Sequence, residues 1–231
     1  MINPFENSAV ANSYDSFYQN PVGVLYDRLE KAAIQRLLIE KFPKLHTPDF
    51  SARLLEIGSG TGHWSRFFAG LGFYVLGIEP SPPMIAIAID KRIPNTEFLN
   101  LRGEDFILQP NTPLFDALAF ITSLEFTSNP LAVIQNSLRY LKKHGTIIVG
   151  VLNEKSTMGI NRKKEQTVYT NAHFFEEAEL KTLFAPLGSV HIMQSAFAEP
   201  DQLNFADEIE EKAQAMGDTN GKFIACRIDV D

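Results

Sequence analysis

The sequence lacks features that several classes of protein require. It has one cysteine, Cys226, among 231 residues, so no disulfide can form within the chain. No apolar run approaches the roughly 18 residues that span a bilayer, and Thr146 to Leu152 is too short. The first residues lack the basic and apolar regions of a signal peptide. We therefore expect a cytoplasmic protein with no membrane span.

An excess of positive charge is also absent. The formal net charge is −7, which provides no general field to attract nucleic acid, so no nucleic-acid partner is expected. The sequence shows no Ser-His-Asp signature, no P-loop lysine and no Cys/His cluster with zinc spacing, and no metal is expected. These absences favour a small-molecule substrate and leave open whether the protein is a monomer or a homodimer.

The most informative stretch is the glycine-rich segment 53–64. Apolar residues precede the glycines as in a strand, and apolar residues follow them at i, i+3, i+4 and i+7 as on one face of a helix. Glycine at 58, 60 and 62 permits positive φ and lets a ligand approach the backbone. A helix that begins directly afterwards offers unpaired N–H groups to a ligand. The segment predicts a strand, a tight turn and a helix that together hold a small molecule.

The glycine spacing discriminates between ligands. A dinucleotide fingerprint reads G-x-G-x-x-G, and its third glycine would fall at His63, whereas this segment reads G-x-G-x-G after Glu56. The spacing therefore disfavours an NAD-dependent oxidoreductase.

The second strand, predicted over 73–78, ends in Glu79. An acidic residue there, about 20 positions beyond the glycines, suits the two ribose hydroxyls of an adenosine. Ser81 and Pro82 are typical of a helix cap and a first helical position. A solitary glutamate would be interpreted as a solvated carboxylate, but this spacing favours the ribose role.

The fourth strand, predicted over 115–121, is a nearly continuous apolar run that indicates a central strand covered on both faces. Residues 122–126 follow at its carboxyl end, where an open parallel sheet binds ligands. Glu125 is the first candidate for a general base there, although it could instead only shape the pocket.

These segments resemble the class I S-adenosylmethionine (SAM) methyltransferases, in particular the methyltransferase type 11 or UbiE-like group. Glu56, Gly58, Gly60 and Gly62 match the first motif; Gly103, Glu104 and Asp105 match the adenine-binding signature; Asp116 and residues 122–126 match the fourth motif and the segment after it. The resemblance covers Leu54 to Leu152 by motif and the rest by architecture.

The resemblance implies an α/β fold with a doubly wound, mostly parallel seven-stranded sheet. Its strand order would be 3-2-1-4-5-7-6, with the last strand antiparallel and helices on both faces. We expect one methyltransferase domain, 1–231, in which 1–45 forms a helical cap over the cofactor, 53–152 the SAM-binding core and 153–231 the substrate-side elements and terminal strand pair. A helical segment, Leu203 to Met216, is predicted between the last two strands.

The resemblance also assigns roles to individual residues. The cofactor-binding residues would be Glu56, Gly58, Ser59, Gly60, Gly62, Trp64, Glu79, Pro80, Ser81, Met84, Gly103, Glu104, Asp105, Thr122 and Leu124, and the substrate or lid residues Tyr14, Tyr18 and Phe126. Whether Glu104 or Asp105 accepts the adenine amine stays open. Met84 could equally pack in the core, and the two tyrosines could merely cover an edge of the sheet.

The predicted function is methyl transfer from SAM to an oxygen, nitrogen or carbon atom of a small molecule, with S-adenosylhomocysteine (SAH) as product. The absence of an N-P-P-[YF/W] tetrapeptide, where Thr122 to Glu125 stands, argues against methylation of amides or DNA-base amines. A SAM-binding regulator or an inactive subunit is the first alternative, and a nucleotide-cofactor oxidoreductase the second.

Overall fold

A mixed seven-stranded sheet lies at the centre of the computed structural model, which describes residues 3–165 and 167–231. The strands are β1 (Ala52–Ile57), β2 (Phe73–Ile78), β3 (Thr96–Leu99), β4 (Phe115–Ile121), β5 (Leu141–Leu152), β6 (Gly188–Ser195) and β7 (Phe223–Val230). Their order is β3-β2-β1-β4-β5-β7-β6. Strand β7 is antiparallel to both of its neighbours, and the other adjacent pairs are parallel. The predicted order and the antiparallel last strand are confirmed.

Helices cover both faces of this sheet. They are α1 (Ser8–Tyr14), α2 (Pro21–Lys41), α3 (His63–Gly70), α4 (Pro82–Asp90), α5 (Pro130–Leu138), α6 (Thr157–Arg162), α7 (Glu177–Phe184) and α8 (Ala206–Met216). Helices α2 and α3 contribute to the buried cluster on one face, and α5 and α7 contribute to the cluster on the other. The predicted helical segment between the last two strands is present as α8.

Adjacent residues in the central strands belong to opposite faces. Leu54 and Leu55 in β1, and Ala117 and Leu118 in β4, are completely buried, yet the members of each pair lie in different clusters. Successive side chains of a strand point to opposite sides of the sheet. A strand that is covered on both faces therefore needs apolar residues at odd and at even positions. This is why the fourth strand is a continuous apolar run.

Helix α2 begins at Pro21. The side chain of Asn20 accepts a hydrogen bond from the Gly23 amide at 2.9 Å, and Pro21 occupies the first turn, a favourable N-terminal arrangement. The helix is fixed to the sheet by Arg227 of β7, whose guanidinium donates to the Leu37 carbonyl at 2.8 Å. In the part of the chain that the structure describes, no helix combines the length and apolar character needed to cross a membrane.

Two neighbouring phenylalanines in α3 provide a test of this packing. Phe68 is completely buried in the cluster beneath α3, whereas Phe67 is only partly buried at its margin. Phe68→Ala should lower the free energy of unfolding by about 3–5 kcal/mol, since it leaves a cavity that the core cannot fill. Phe67→Ala, the matched control, should cost clearly less. Urea denaturation measures both, and equal losses would contradict the assigned packing.

Candidate active site

The glycine turn between β1 and α3 has the backbone that its sequence predicts. Gly58, Gly60 and Gly62 have φ of 78°, 53° and 78°, a region that other residues disfavour. A Cβ on Gly58 would lie 2.5 Å from the Cβ of Ser123, just beyond β4, and a Cβ on Gly60 would meet no atom within 4 Å. Glycine at 58 therefore allows two strand ends to approach, and glycine at 60 leaves its backbone open to a ligand.

Glu79, directly after β2, joins the glycine turn to the start of α4. One carboxylate oxygen accepts a hydrogen bond from the Gly60 amide at 2.9 Å, and the other accepts from the Ser81 amide at 2.8 Å. Burial raises the pKa of this carboxyl group, although the two amide donors act to lower it. Each oxygen retains acceptor capacity, so the carboxylate can still receive hydroxyl donors from a ligand.

A cavity of about 230 Å³ lies beside the carboxyl ends of β1, β2 and β4, where an open parallel sheet binds ligands. Most of the residues predicted to bind cofactor or substrate line it: Tyr14, Glu56, Gly58, Ser59, Gly60, Trp64, Glu79, Pro80, Met84, Gly103, Glu104, Thr122, Leu124 and Phe126. The fold thus brings the predicted segments of the chain together in one place.

Some predicted cofactor residues lie outside the lining. Gly62 is the N-terminal cap of α3. The Ser81 hydroxyl caps α4 by accepting from the Met84 amide at 3.3 Å. Asp105 is exposed and does not line the cavity, whereas Glu104 does. Of the two acidic candidates for the adenine amine, only Glu104 is therefore placed beside a ligand space.

Tyr14 and Tyr18 form an aromatic pair with ring centroids 6.0 Å apart. Tyr14 lines the cavity. Tyr18 lies one layer further out, stacked on His63 with centroids 3.6 Å apart. Thr122 has a φ of +45°, which is strained for a β-branched residue. Tyr14 and Thr122, which directly follows β4, thus both belong to the cavity wall.

Glu125, the predicted general base, does not line the cavity. It is 1% exposed, and one of its carboxylate oxygens accepts from the Leu152 amide at 2.9 Å. The other oxygen is buried and has no hydrogen-bond partner in the described part of the chain. Burial raises the pKa of this carboxyl group to about 7. The general-base role stays a prediction, and a proton would reach this carboxylate only through an intervening group.

Two further segments line the cavity without having been predicted as binding residues. Residues 3–6 cover one side, and residues between 167 and 171 cover another. The Phe5 carbonyl accepts from the Ser81 hydroxyl at 2.6 Å, and the Phe5 ring lies 4.9 Å from the Phe126 ring. Their signals in the sequence are the aromatic residues before α2 and the unusual length of the connection after β5. The other lining residues that were not predicted are Ile57, His63, Arg102, Ile121, Ser123, Thr127, Ser128 and Val133.

Glu56 is the buried carboxylate of the first motif. It is 2% exposed and accepts a hydrogen bond from the Ser65 hydroxyl of α3. Burial raises the pKa of its carboxyl group to about 8, although the Ser65 hydrogen bond opposes the shift. At neutral pH this group is therefore largely protonated in the structure described.

Comparison with known proteins identifies the class to which this fold and cavity belong. Residues 26–189 match the protein family described as "Methyltransferase domain". The chain belongs to that family, whose cofactor is S-adenosylmethionine. Membership of the methyltransferase family excludes the alternative that the protein is a nucleotide-cofactor oxidoreductase.

Two relatives and one solved structure resemble the chain over different lengths. An uncharacterized protein of Methanocaldococcus jannaschii is 30% identical over 187 residues, which cover 79% of this chain and 83% of that one. A ubiquinone biosynthesis O-methyltransferase of Glaesserella parasuis is 30% identical over 110 residues, 45% of this chain and 47% of that one. The crystal structure of a SAM-dependent methyltransferase of Thermotoga maritima, described as a "possible histamine N-methyltransferase", has a TM-score of 0.73 at 27% identity and covers 96% of both chains.

Replacing Glu56 by glutamine should change how stability depends on pH. The folded protein raises the pKa of this group from 4.5 to about 8, so its contribution to stability is complete below pH 4.5 and is lost as the pH rises through 8. Glu56→Gln keeps an acceptor for Ser65 and cannot ionise. It should match the wild type at pH 4.5 and be more stable by on the order of 2–4 kcal/mol at pH 9. Urea denaturation at both pH values tests this, and equal stabilities at pH 9 would refute it.

Proposed function

We propose that the protein transfers the methyl group of SAM to a nucleophilic atom of a small molecule. The observation that carries this proposal is the covered cavity at the strand ends, in which the glycine turn, Glu79 and Glu104 meet Tyr14 and Phe126. Residues 3–6 and the segment between 167 and 171 close over it, which favours a small acceptor over a macromolecule. The names of the Thermotoga and Glaesserella relatives also indicate small acceptors.

The cavity residues suit the parts of SAM. The open backbone at Gly60 would face the methionine portion, and Glu79 would receive both ribose hydroxyls with its remaining acceptor capacity. The Gly103 amide and the Glu104 carboxylate would provide a donor and an acceptor to adenine. Pro80 and Met84 line the cavity between these positions and would pack against the adenosine. Two buried hydroxyl oxygens at the cavity, Ser59 Oγ and Ser123 Oγ, have no partner in the described residues and could bind the ligand or its water.

The bound cofactor supplies an activated methyl group, so the chain's own contribution is positioning. Thr122, Ser123 and Leu124 would hold the acceptor atom in line with the methyl carbon and the sulfur, and the aromatic cover would exclude water. Positioning of this kind is worth roughly 7–11 kcal/mol in favourable systems.

We also propose a division of labour along the chain. Residues 53–152 would bind the cofactor, 1–45 would cap it, and 153–231 would form the acceptor side. Two observations support it. Residues 3–6 and Tyr14, from the amino-terminal part, line the cavity, and so do residues between 167 and 171, from the carboxy-terminal part.

Glu79→Ala tests the cofactor assignment. The substitution should weaken SAM and SAH binding at least tenfold, since two charge-assisted hydrogen bonds to ribose are lost at roughly 1.5–3 kcal/mol each. Isothermal titration calorimetry measures the effect in protein shown to be folded by circular dichroism. The control is Glu97→Ala on β3, an exposed glutamate that should not alter affinity. A folded Glu79→Ala protein with wild-type affinity would refute the ribose assignment.

Glu125 is the proposed proton acceptor. Its carboxyl group has a pKa of about 7 and must be ionised to take a proton, so the rate of methyl transfer should rise as the pH increases through 7. Glu125→Gln should lower this rate and abolish the rise, while SAH affinity is retained. A pH profile of kcat with tritiated SAM tests this, and a normal rate at every pH would end the role of Glu125.

A further inference from the structure

The ionisable groups of the cavity wall are unevenly distributed in sign. They are Glu6, Glu56, Glu79, Glu104, Arg102 and His63, and no lysine lines the cavity within the described chain. Arg102 lies 3.9 Å from the Glu104 carboxylate with 68% of its side chain exposed, on the side assigned to adenine. Even with Glu56 protonated, the remaining carboxylates outnumber the cations that face a ligand.

The basic side chains near His63 are already engaged. His63 Nε2 lies 2.7 Å from one carboxylate oxygen of Asp27, and Lys31 Nζ lies 2.7 Å from the other. The hydrogen bonds from His63 and Lys31 hold the pKa of Asp27 below its ordinary value despite its burial, so this carboxylate is ionised. These two groups therefore add little positive charge to the cavity.

Aromatic rings surround the end of the cavity next to β4. The Phe5 ring lies 4.9 Å from Phe126 and 6.0 Å from Tyr14, and Phe126 lies 5.9 Å from Tyr169. Phe5, Tyr14 and Phe126 line the cavity. The faces of such rings attract organic cations and offer nothing comparable to anions.

Burial raises the pKa of Tyr169, and two buried acidic side chains add to this shift. Glu125 immediately precedes Phe126 and is 1% exposed; Glu30 of α2 is 9% exposed. Burial raises the pKa of Glu30 to about 8, with smaller contributions from the charges of Asp27 and Glu125. Arg162, which acts on both carboxylates, is stacked on Tyr169 with its guanidinium carbon 4.2 Å from the ring centroid. With a pKa of about 8 for Glu30 and about 7 for Glu125, Glu30 is largely protonated at neutral pH, and Arg162 balances the charge that Glu125 carries. The negative potential of the cavity therefore comes from Glu6, Glu79 and Glu104 in its wall.

We propose that the methyl acceptor is an amine, which enters as an ammonium ion and is held by Phe5, Tyr14 and Phe126 in a cavity of negative potential. This inference rests on the proposed function, since it names the acceptor of the same site. A carboxylate or phosphate acceptor would be repelled by the negative potential. A phenol would be harder to ionise beside these carboxylates, because they raise its pKa.

The charge balance of the reaction agrees with this choice. The bound ammonium loses one proton, through a water molecule, to Glu125 and then to solvent. The nitrogen lone pair of the neutral amine forms a bond to the methyl carbon, and the carbon–sulfur bond breaks with its electron pair on sulfur, giving SAH and a methylated ammonium. Positive charge moves from sulfur to nitrogen and stays in the cavity, whereas an anionic acceptor would abolish it.

The test uses a matched series on one scaffold: 2-phenylethylamine, 4-ethylphenol and 3-phenylpropionate, together with benzylamine and histamine as further amines. SAH binding is measured first by calorimetry, because its failure would refute the proposed function and not the choice of acceptor. Each compound is then titrated into the SAH complex and assayed with tritiated SAM. At least one amine should bind and become labelled, at a rate at least tenfold above the phenol and the carboxylate.

Phe126→Leu provides the second readout. Loss of the ring should weaken binding of the accepted amine about 5–10-fold, while SAH affinity changes much less. Phe50→Leu is the control, since Phe50 packs on Gly72 and Phe73 at the opposite end of β2. The proposal is overturned if the phenol or the carboxylate is labelled in preference, if every amine fails although SAH binds, or if Phe126→Leu leaves amine affinity unchanged.

Discussion

The arrangement of the site depends on one interaction: the Glu79 carboxylate accepts hydrogen bonds from two backbone amides. Through Gly60 and Ser81 it ties the turn after β1 to the start of α4, two segments that only the parallel pairing of β1 with β2 brings together. The positive φ of the glycines exposes the turn's backbone to the same space. A ligand that needs both a carboxylate and unobstructed main chain therefore finds them side by side.

The parts of the structure that were predictable are those in which a local pattern has one physical solution. Three alternate glycines after an apolar strand indicated a tight turn. Apolar residues at odd and even positions of β4 indicated a strand buried on both faces of the sheet. The seven-strand order came from the family resemblance and is confirmed. The position of Glu79 at the tip of the second strand was predictable from its distance from the glycines. The hydrogen bonds that it accepts from two backbone amides were not predicted.

The rest of the site arises from contacts between segments that are distant in the chain, which no local pattern encodes. Residues 3–6 reach the cavity because the Phe5 carbonyl meets Ser81 and the Phe5 ring meets Phe126. That Glu104 lines the cavity and Asp105 does not depends on which of two adjacent side chains turns inward. Glu125 lies at the expected strand end but faces the Leu152 amide. The excess of carboxylates in the cavity wall becomes visible only when the fold brings Glu6, Glu79 and Glu104, from three separate segments, to one cavity.

We propose that this cavity is the SAM site. Calorimetric titration of the wild-type protein with SAM, SAH and NAD in parallel tests this proposal. We expect roughly micromolar binding of SAM and SAH with one site per chain, and no heat with NAD. Binding of NAD in preference to both adenosyl ligands, or no binding of either SAM or SAH, would contradict it.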